Sequence, residues 1–181
     1  MKTEISKTQP LRLNKKGLII QISSYGGFYY LFDVGYGVAH AAMDRLSCDM
    51  AIELKEHNVK AITLHPGGGQ TEITAFPDGE SPKFVGRAVY ALIEKADDSF
   101  LSKSNGKTLF TIDLAKKFDF REDYDHDGSI NEARYENSKP IKEMMLKALP
   151  QYDSESPLPS FKDTNNSGFA DLFPGAKNKK L

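Results

Sequence analysis

The sequence predicts an α/β fold with parallel strands, and the prediction rests on two short apolar runs with one long helical pattern between them. The first run, Leu18 to Ile22, follows Gly17 directly, as in a strand buried on both faces. The second run extends from Val59 to His65. The segment between them repeats its apolar residues at spacings of three and four, which is the period of an α-helix. Two strands joined through a helix are expected to lie parallel, with a right-handed crossover.

The chain before the first strand and the loop after it are the first elements to place. Residues 1–16 are polar and are predicted to be a loop or the remnant of a helix. The run from Phe28 to Phe32 is more aromatic than a solvated loop. This aromatic loop either lines a substrate cleft or packs beneath a missing half of the fold, and both interpretations remain open.

A long helix is predicted from about Gly35 to His57, with Asn58 as its stop. Its apolar residues define the face that we expect to be buried. That face consists of Ala39, Ala42, Met43, Leu46, Met50 and Leu54.

A second helix is predicted to begin at Ser81-Pro82, because serine is a favoured N-cap and proline suits the first helical position. It is expected to end at Asp97-Asp98. Its predicted buried face consists of Phe84, Val85, Ala88, Val89, Leu92 and Ile93.

A third strand, from Lys107 to Ile112, and a last amphipathic helix, from Ser138 to Leu149, complete the predicted elements. We therefore divide the chain into four regions: a leading segment, an α/β region, an acidic loop with a helix, and a tail predicted to be mostly disordered. Their bounds are 1–16, 17–118, 119–150 and 151–181.

The composition restricts the function classes. The chain has 181 residues with 39% hydrophobic residues, enough for one domain with a core. A formal net charge of -1 argues against nucleic acid as a partner. Cys48 is the single cysteine, which excludes an intrachain disulfide and favours a reducing compartment. No apolar run approaches the length of a membrane span, so we expect an intracellular, cytoplasmic protein, and association with the endoplasmic reticulum stays open.

Polar residues follow both predicted strands, where the active sites of parallel sheets are found. Ser23-Ser24 ends the first strand, Tyr36 and His40 lie one turn apart on the helix, and a Pro-Gly-x-x-x-Thr turn from Pro66 to Thr71 follows the second strand. From about Gly17 to Glu72 this pattern resembles the catalytic segment of the short-chain dehydrogenase/reductase family.

The resemblance implies a partial doubly wound, Rossmann-like parallel sheet. It comprises the last three strands with their helices and lacks the N-terminal, cofactor-binding half. It also implies NAD(P)-dependent reduction of a carbonyl or oxidation of an alcohol in a small substrate, with NADP or NAD as the cofactor. We expect cofactor binding by this chain alone to be impaired, because no glycine-rich turn precedes the serine strand.

The same resemblance assigns roles to individual residues. Tyr36 would exchange the proton, and Ser24 would hold the substrate oxygen, with Ser23 as the second choice. Pro66, Gly67 and Thr71 would approach the nicotinamide. A turn serine at position 24 and a plain loop capped by Thr71 are the structural alternatives.

His40 stands where the family has lysine, which holds the nicotinamide ribose and supplies a permanent positive charge. A free tyrosine titrates near ~10, so acid–base work at neutral pH needs a nearby cation. An unperturbed histidine is mostly neutral at pH 7. We therefore expect a truncated, inactive relative of the oxidoreductases. The alternative is a non-catalytic binding or scaffold relative, and self-association through the uncovered edge of the serine strand is expected in either case.

An acidic loop resembles part of an EF-hand. Asp123, Asp125 and Asp127 occupy the first, third and fifth ligand positions, but the twelfth is Arg134 where a bidentate glutamate belongs. We predict an acidic turn and no metal site. A calcium-binding module is the weakest of the alternatives.

Overall fold

The computed structural model describes residues 16–76 and 79–148, and its centre is a three-stranded parallel sheet. The strands are β1 (Gly17–Ile22), β2 (Val59–His65) and β3 (Thr108–Phe110), in the order β1-β2-β3. Ile20 pairs with Ile62 and Leu64 with Leu109 in the parallel registers. The predicted α/β class with a parallel sheet is confirmed. Predictions for residues 1–15 and 149–181 lie outside the described residues.

Five α-helices are described around the sheet. They are α1 (Val34–Glu53), α2 (Pro82–Tyr90), α3 (Asp98–Ser104), α4 (Thr111–Phe118) and α5 (Ser129–Ala148). Short 3-10 turns cover Tyr25–Gly27 and Lys55–His57, and a π-helical turn, Ala91–Lys95, extends α2.

Side-chain caps explain where the first helices begin. The side chains of Asp33, Ser81 and Asp97 each accept a hydrogen bond from a backbone N–H three residues later, at the start of α1, α2 and α3. The predicted start at Ser81-Pro82 is therefore confirmed. At the other end of the α1 region, Asn58 takes a left-handed φ of 54° and stops the helical path, as predicted.

The buried face of α1 is not the one that was predicted. Asp44, Ser47, Cys48 and Ala51 are buried, whereas Ala39, Ala42 and Leu46 are exposed. The apolar residues of this helix are spread around its circumference, so their spacing could not select a face. A polar contact between Asp44 and the sheet, described below, sets the orientation of the helix.

Two other predicted boundaries were wrong, and the predicted helix end at Asp97-Asp98 is also the start of another helix. The third strand ends at Phe110, and Thr111 and Ile112 already belong to α4. Asp97-Asp98 does not only end the preceding helix, because Asp97 caps α3. The last helix begins at Ser129, nine residues before the predicted start, and carries Pro140 inside it.

The hydrophobic core lies in two clusters around β2, β3 and the helices that follow them. One contains Phe84, Phe110, Ile112, Ala115 and Met145, and the other contains Leu64, Ala88, Leu92 and Leu114. Strand β1 is less well covered: its side chains are half-buried, and Ile22 is 41% exposed. None of the described helices is both long enough and apolar enough to cross a membrane.

Candidate active site

The parallel register brings the ends of β1 and β2 to one edge of the sheet. Ile22 pairs with Leu64, and the backbone N–H of Ser23 donates to the Leu64 carbonyl at 3.0 Å. The residues that follow both strands, the Ser23-Ser24 pair and Pro66-Gly67, therefore leave the sheet side by side.

Ser24 and Tyr36 form the hydrogen-bonded pair of the site. The Tyr36 hydroxyl donates to Ser24 Oγ at 2.8 Å. The same oxygen accepts from the Gly26 backbone N–H at 3.2 Å and so caps the 3-10 turn. A Cβ at Gly26 would lie 2.4 Å from Cε1 of Tyr36, so only glycine lets the phenol ring reach this position. Ser24 is thus both a turn serine and the partner of the tyrosine hydroxyl.

His40 lies against the ring of Tyr36, one helical turn along α1. The two ring centroids are 4.3 Å apart, and His40 Nδ1 is 3.5 Å from Ser23 Oγ. Burial lowers the pKa of His40 below its ordinary 6.5, and His65 lowers it too, although the nearby Asp44 carboxylate acts in the opposite direction. His40 is therefore neutral at pH 7, and it does not give Tyr36 the permanent cation that lysine would.

Asp44 and the buried position of His65 were not predicted from the sequence. Asp44 Oδ1 is 2.8 Å from His65 Nε2, and both side chains are almost completely buried. Asp44 Oδ2 and His65 Nδ1 have no hydrogen-bond partner among the described residues. The signal in the sequence was spacing: Tyr36, His40 and Asp44 follow one another at four residues, which places them on one face of α1.

The Pro66-to-Thr71 turn is only partly engaged with this site. Thr71 is exposed, and its Oγ1 accepts from the backbone N–H groups of Ile73 and Thr74, so it caps a local turn. A Cβ at Gly67 would lie 2.9 Å from Glu80 Oε1, so the close approach at this glycine is made by Glu80. The structure thus groups Ser24, Tyr36 and His40, whereas the Thr71 hydroxyl is already held by its own turn.

The profile of the short chain dehydrogenase family matches residues 6–79. That match contains the serine strand, the tyrosine helix and the Pro-Gly turn. Residues 6–79 are therefore similar to the short chain dehydrogenase family.

Matches to individual curated proteins point to the same family. The chain is 36% identical over 127 residues to dehydrogenase/reductase SDR family member 1 of Mus musculus. This match covers 59% of this chain and 40% of the relative. It is 34% identical over 70 residues to estradiol 17-beta-dehydrogenase 2 of Rattus norvegicus, covering 38% of this chain and 18% of the relative. The chain therefore spans well under half the length of these curated relatives.

Similar solved structures include a 4-hydroxyisoleucine dehydrogenase complexed with NADH, at 21% identity and a TM-score of 0.44, covering 52% of this chain and 44% of that one. Another is an oxidoreductase of the short-chain dehydrogenase/reductase family from Burkholderia thailandensis, at 22% identity and a TM-score of 0.47. The match covers 56% of this chain and 45% of that one.

A cleft of about 270 Å³ lies beside the Pro-Gly turn. Its lining includes Tyr25, Gly67, Glu80, Arg134 and Ile141. Glu80 is buried, and burial raises the pKa of its carboxyl, although Thr111 donates to it at 2.5 Å. Burial also raises the pKa of the Tyr25 phenol. Neither residue was singled out from the sequence, because their environment depends on α4 and α5.

The acidic loop uses its carboxylates for folding contacts. Asp125 accepts from the backbone N–H groups of Ile130 and Asn131, and so caps the first turn of α5. Asp123 contacts Lys83 and Arg87, and hydrogen bonds from these two side chains lower its pKa to about 2.

The remaining members of the EF-hand-like pattern are also engaged. Asp127 Oδ1 accepts from the Ser129 N–H, and buried Arg134 pairs with Glu122 at 3.3 Å. Among the described residues no group of three or more acidic, histidine or cysteine side chains is arranged to hold a metal ion.

Proposed function

We propose that Ser24 and Tyr36 form the proton-transfer pair of an NAD(P)-dependent short-chain oxidoreductase that acts on a small carbonyl or alcohol. The observation that carries this proposal is the 2.8 Å hydrogen bond between the Tyr36 hydroxyl and Ser24 Oγ. It brings two hydroxyls together at the carboxyl edge of a parallel sheet, the edge at which such folds bind their ligands.

The pair would act on the oxygen of the substrate. Ser24 would turn its hydroxyl proton toward that oxygen, and Tyr36 would give its proton to the oxygen during reduction and take it back during oxidation. A bound nicotinamide would supply or accept the hydride. The close contact of Gly26 with the phenol ring fixes the tyrosine without help from the substrate.

The residues fit the nicotinamide end of such a cofactor. His40 would hold the nicotinamide ribose from the position of the family lysine. Pro66 and Gly67 leave β2 beside Ser23 and would contact the nicotinamide ring. The hydroxyl of Thr71 would first have to leave its own turn.

We further propose that His40 makes this chain a poor catalyst at neutral pH. Tyr36 then has a neutral imidazole at a centroid distance of 4.3 Å in place of a cation. A non-catalytic binding relative is the second candidate. The exposed apolar side chains beside the site, Tyr30, Phe32, Val34 and Val38, favour it.

Titration with NADH and NADPH, followed by nicotinamide fluorescence, tests the proposal. We expect weak binding by the wild-type chain, tighter binding by His40→Lys, and unchanged binding by Arg45→Lys, an exposed control on the same helix. Absence of nicotinamide binding in both the wild type and His40→Lys would overturn the oxidoreductase proposal and favour the binding relative.

A further inference from the structure

Phe32 has a backbone conformation that its residue type rarely adopts. Its φ is 64°, in the left-handed region, where the Cβ of a bulky residue crowds the backbone. Two other non-glycine residues in the described ranges have a positive φ, Asn58 and Asp119, and both follow helices. Asparagine and aspartate tolerate this region, whereas phenylalanine does not.

Burial does not explain why the strain is maintained. The Phe32 side chain is 58% exposed, so the loop gains little hydrophobic free energy by keeping a phenylalanine there. The entry of the chain into α1 does not explain it either. Asp33 caps the helix by accepting from the Tyr36 N–H at 2.8 Å, and a glycine at position 32 would allow the same turn without strain.

The contact that the phenylalanine provides is with Tyr36. The two rings meet edge to face, with centroids 4.9 Å apart and an interplanar angle of 78°. His40 lies against the same phenol ring, and Gly26 contacts its edge. Phe32 therefore packs against the phenol ring together with His40 and Gly26, and this packing directs the Tyr36 hydroxyl to Ser24.

We propose that Phe32 is a positioning residue for Tyr36, held in a strained backbone so that its ring fixes the phenol against Ser24. Strained backbone that is kept without a gain in burial is characteristic of functional sites. The inference rests on the proposed role of Tyr36, but the position of the phenol ring can be measured without any turnover.

Three substitutions separate the strain from the ring. Phe32→Ala removes the ring and keeps a Cβ at the left-handed φ, Phe32→Gly removes both, and Phe32→Tyr keeps the ring. We expect Phe32→Gly to have a Tm about 2–6 °C above that of Phe32→Ala, because only glycine relieves the strain. Asp119→Gly, at one of the two other positive-φ positions, is the matched control for a gain in stability remote from the tyrosine.

The phenol ring itself provides the second readout. With tyrosine carbon-13 labelling, the Tyr36 ring signal is assigned by its loss in Tyr36→Phe. We expect ring flipping of Tyr36 to be about two- to tenfold faster in both Phe32→Ala and Phe32→Gly, the factor that corresponds to one edge-to-face contact. Phe32→Tyr and Asp119→Gly should leave the ring signal as in the wild type.

The outcomes are distinct from those that test the proposed function. Equal Tm values for the alanine and glycine variants, or an unchanged Tyr36 ring signal in both, would overturn the inference. Absence of turnover in every variant would bear on the oxidoreductase proposal alone. In a His40→Lys background that turns over, Phe32→Gly should lower kcat and leave KM unchanged. A rise in KM alone would instead assign Phe32 to substrate binding and contradict a positioning role.

Discussion

Asp44 on α1 and His65 at the end of β2 form a buried pair, with Asp44 Oδ1 2.8 Å from His65 Nε2. This pair joins the helix that carries Tyr36 and His40 to the strand that leads into Pro66 and Gly67. It therefore couples the geometry of the candidate site to the stability of the fold.

Removing one member of the pair should destabilise the fold strongly. We expect Asp44→Ala to lower the free energy of unfolding by about 1–3 kcal/mol, because it leaves the buried imidazole of His65 without its hydrogen-bond partner. Asp49→Ala breaks the exposed Arg45–Asp49 pair on the same helix and should cost about 0.5 kcal/mol or less. Urea denaturation checks both values, and similar costs for the two variants would contradict a structural role for the buried pair.

The strands beside the site could be predicted from the sequence, whereas the buried face of α1 could not. The two strands beside the site were recognisable because each is a short apolar run ended by polar or glycine-containing turns. The buried face of α1 was not recognisable, because Asp44 and Ser47 are turned toward the sheet by contacts that no local pattern records. Likewise, Thr111 looks like a strand residue, yet it begins α4, where its hydroxyl donates to buried Glu80.

The residues of the candidate site also differ in whether local sequence patterns predict them. Ser24, Tyr36 and His40 could be predicted, because a strand end and a helical period place them together. Tyr25 and Glu80 could not be predicted, because their burial requires α4 and α5 to be in place.

The buried carboxyl of Glu80 should make stability depend on pH. Burial raises its folded-state pKa above the ordinary 4.5. The protonated carboxyl of Glu80 therefore stabilises the folded state fully below about pH 4.5. This stabilisation is lost as the pH rises through the raised pKa. We expect the stability of Glu80→Gln relative to the wild type to increase as the pH rises above about 4.5, as measured by urea denaturation. The exposed variant Glu56→Gln should show no such gain, and a pH-independent difference for Glu80→Gln would contradict burial as the cause.

The edge of β1 is expected to mediate self-association. The strand pairs with β2, and its other edge has no partner strand within the described part of the chain. Ile22, 41% exposed at the end of this strand, gives that edge an apolar side chain. Analytical ultracentrifugation should show concentration-dependent association that Ile22→Lys reduces.

Ile73→Lys is the matched control for that edge, because Ile73 is 88% exposed in a loop. It should associate like the wild type. A stable wild-type monomer, or equal effects of the two lysine variants, would show that the β1 edge is not the associating surface.

For the acidic loop we predict no calcium affinity tighter than about the millimolar range. Asp123 is held by Lys83 and Arg87, and Asp125 caps α5, so binding would have to break these contacts. Calorimetry with calcium chloride is the measurement. A micromolar isotherm that disappears in Asp123→Ala would refute the prediction.

The central claim is that Ser24 and Tyr36 form a proton-transfer pair that becomes competent when position 40 carries a cation. Consumption of NADH or NADPH with a panel of small carbonyl compounds, compared in the wild type, His40→Lys and His40→Lys/Tyr36→Phe, tests it most directly. The account predicts no measurable turnover by the wild type at neutral pH, measurable turnover by His40→Lys, and loss of that gain in the double variant. No gain in His40→Lys, or a gain that survives Tyr36→Phe, would contradict it.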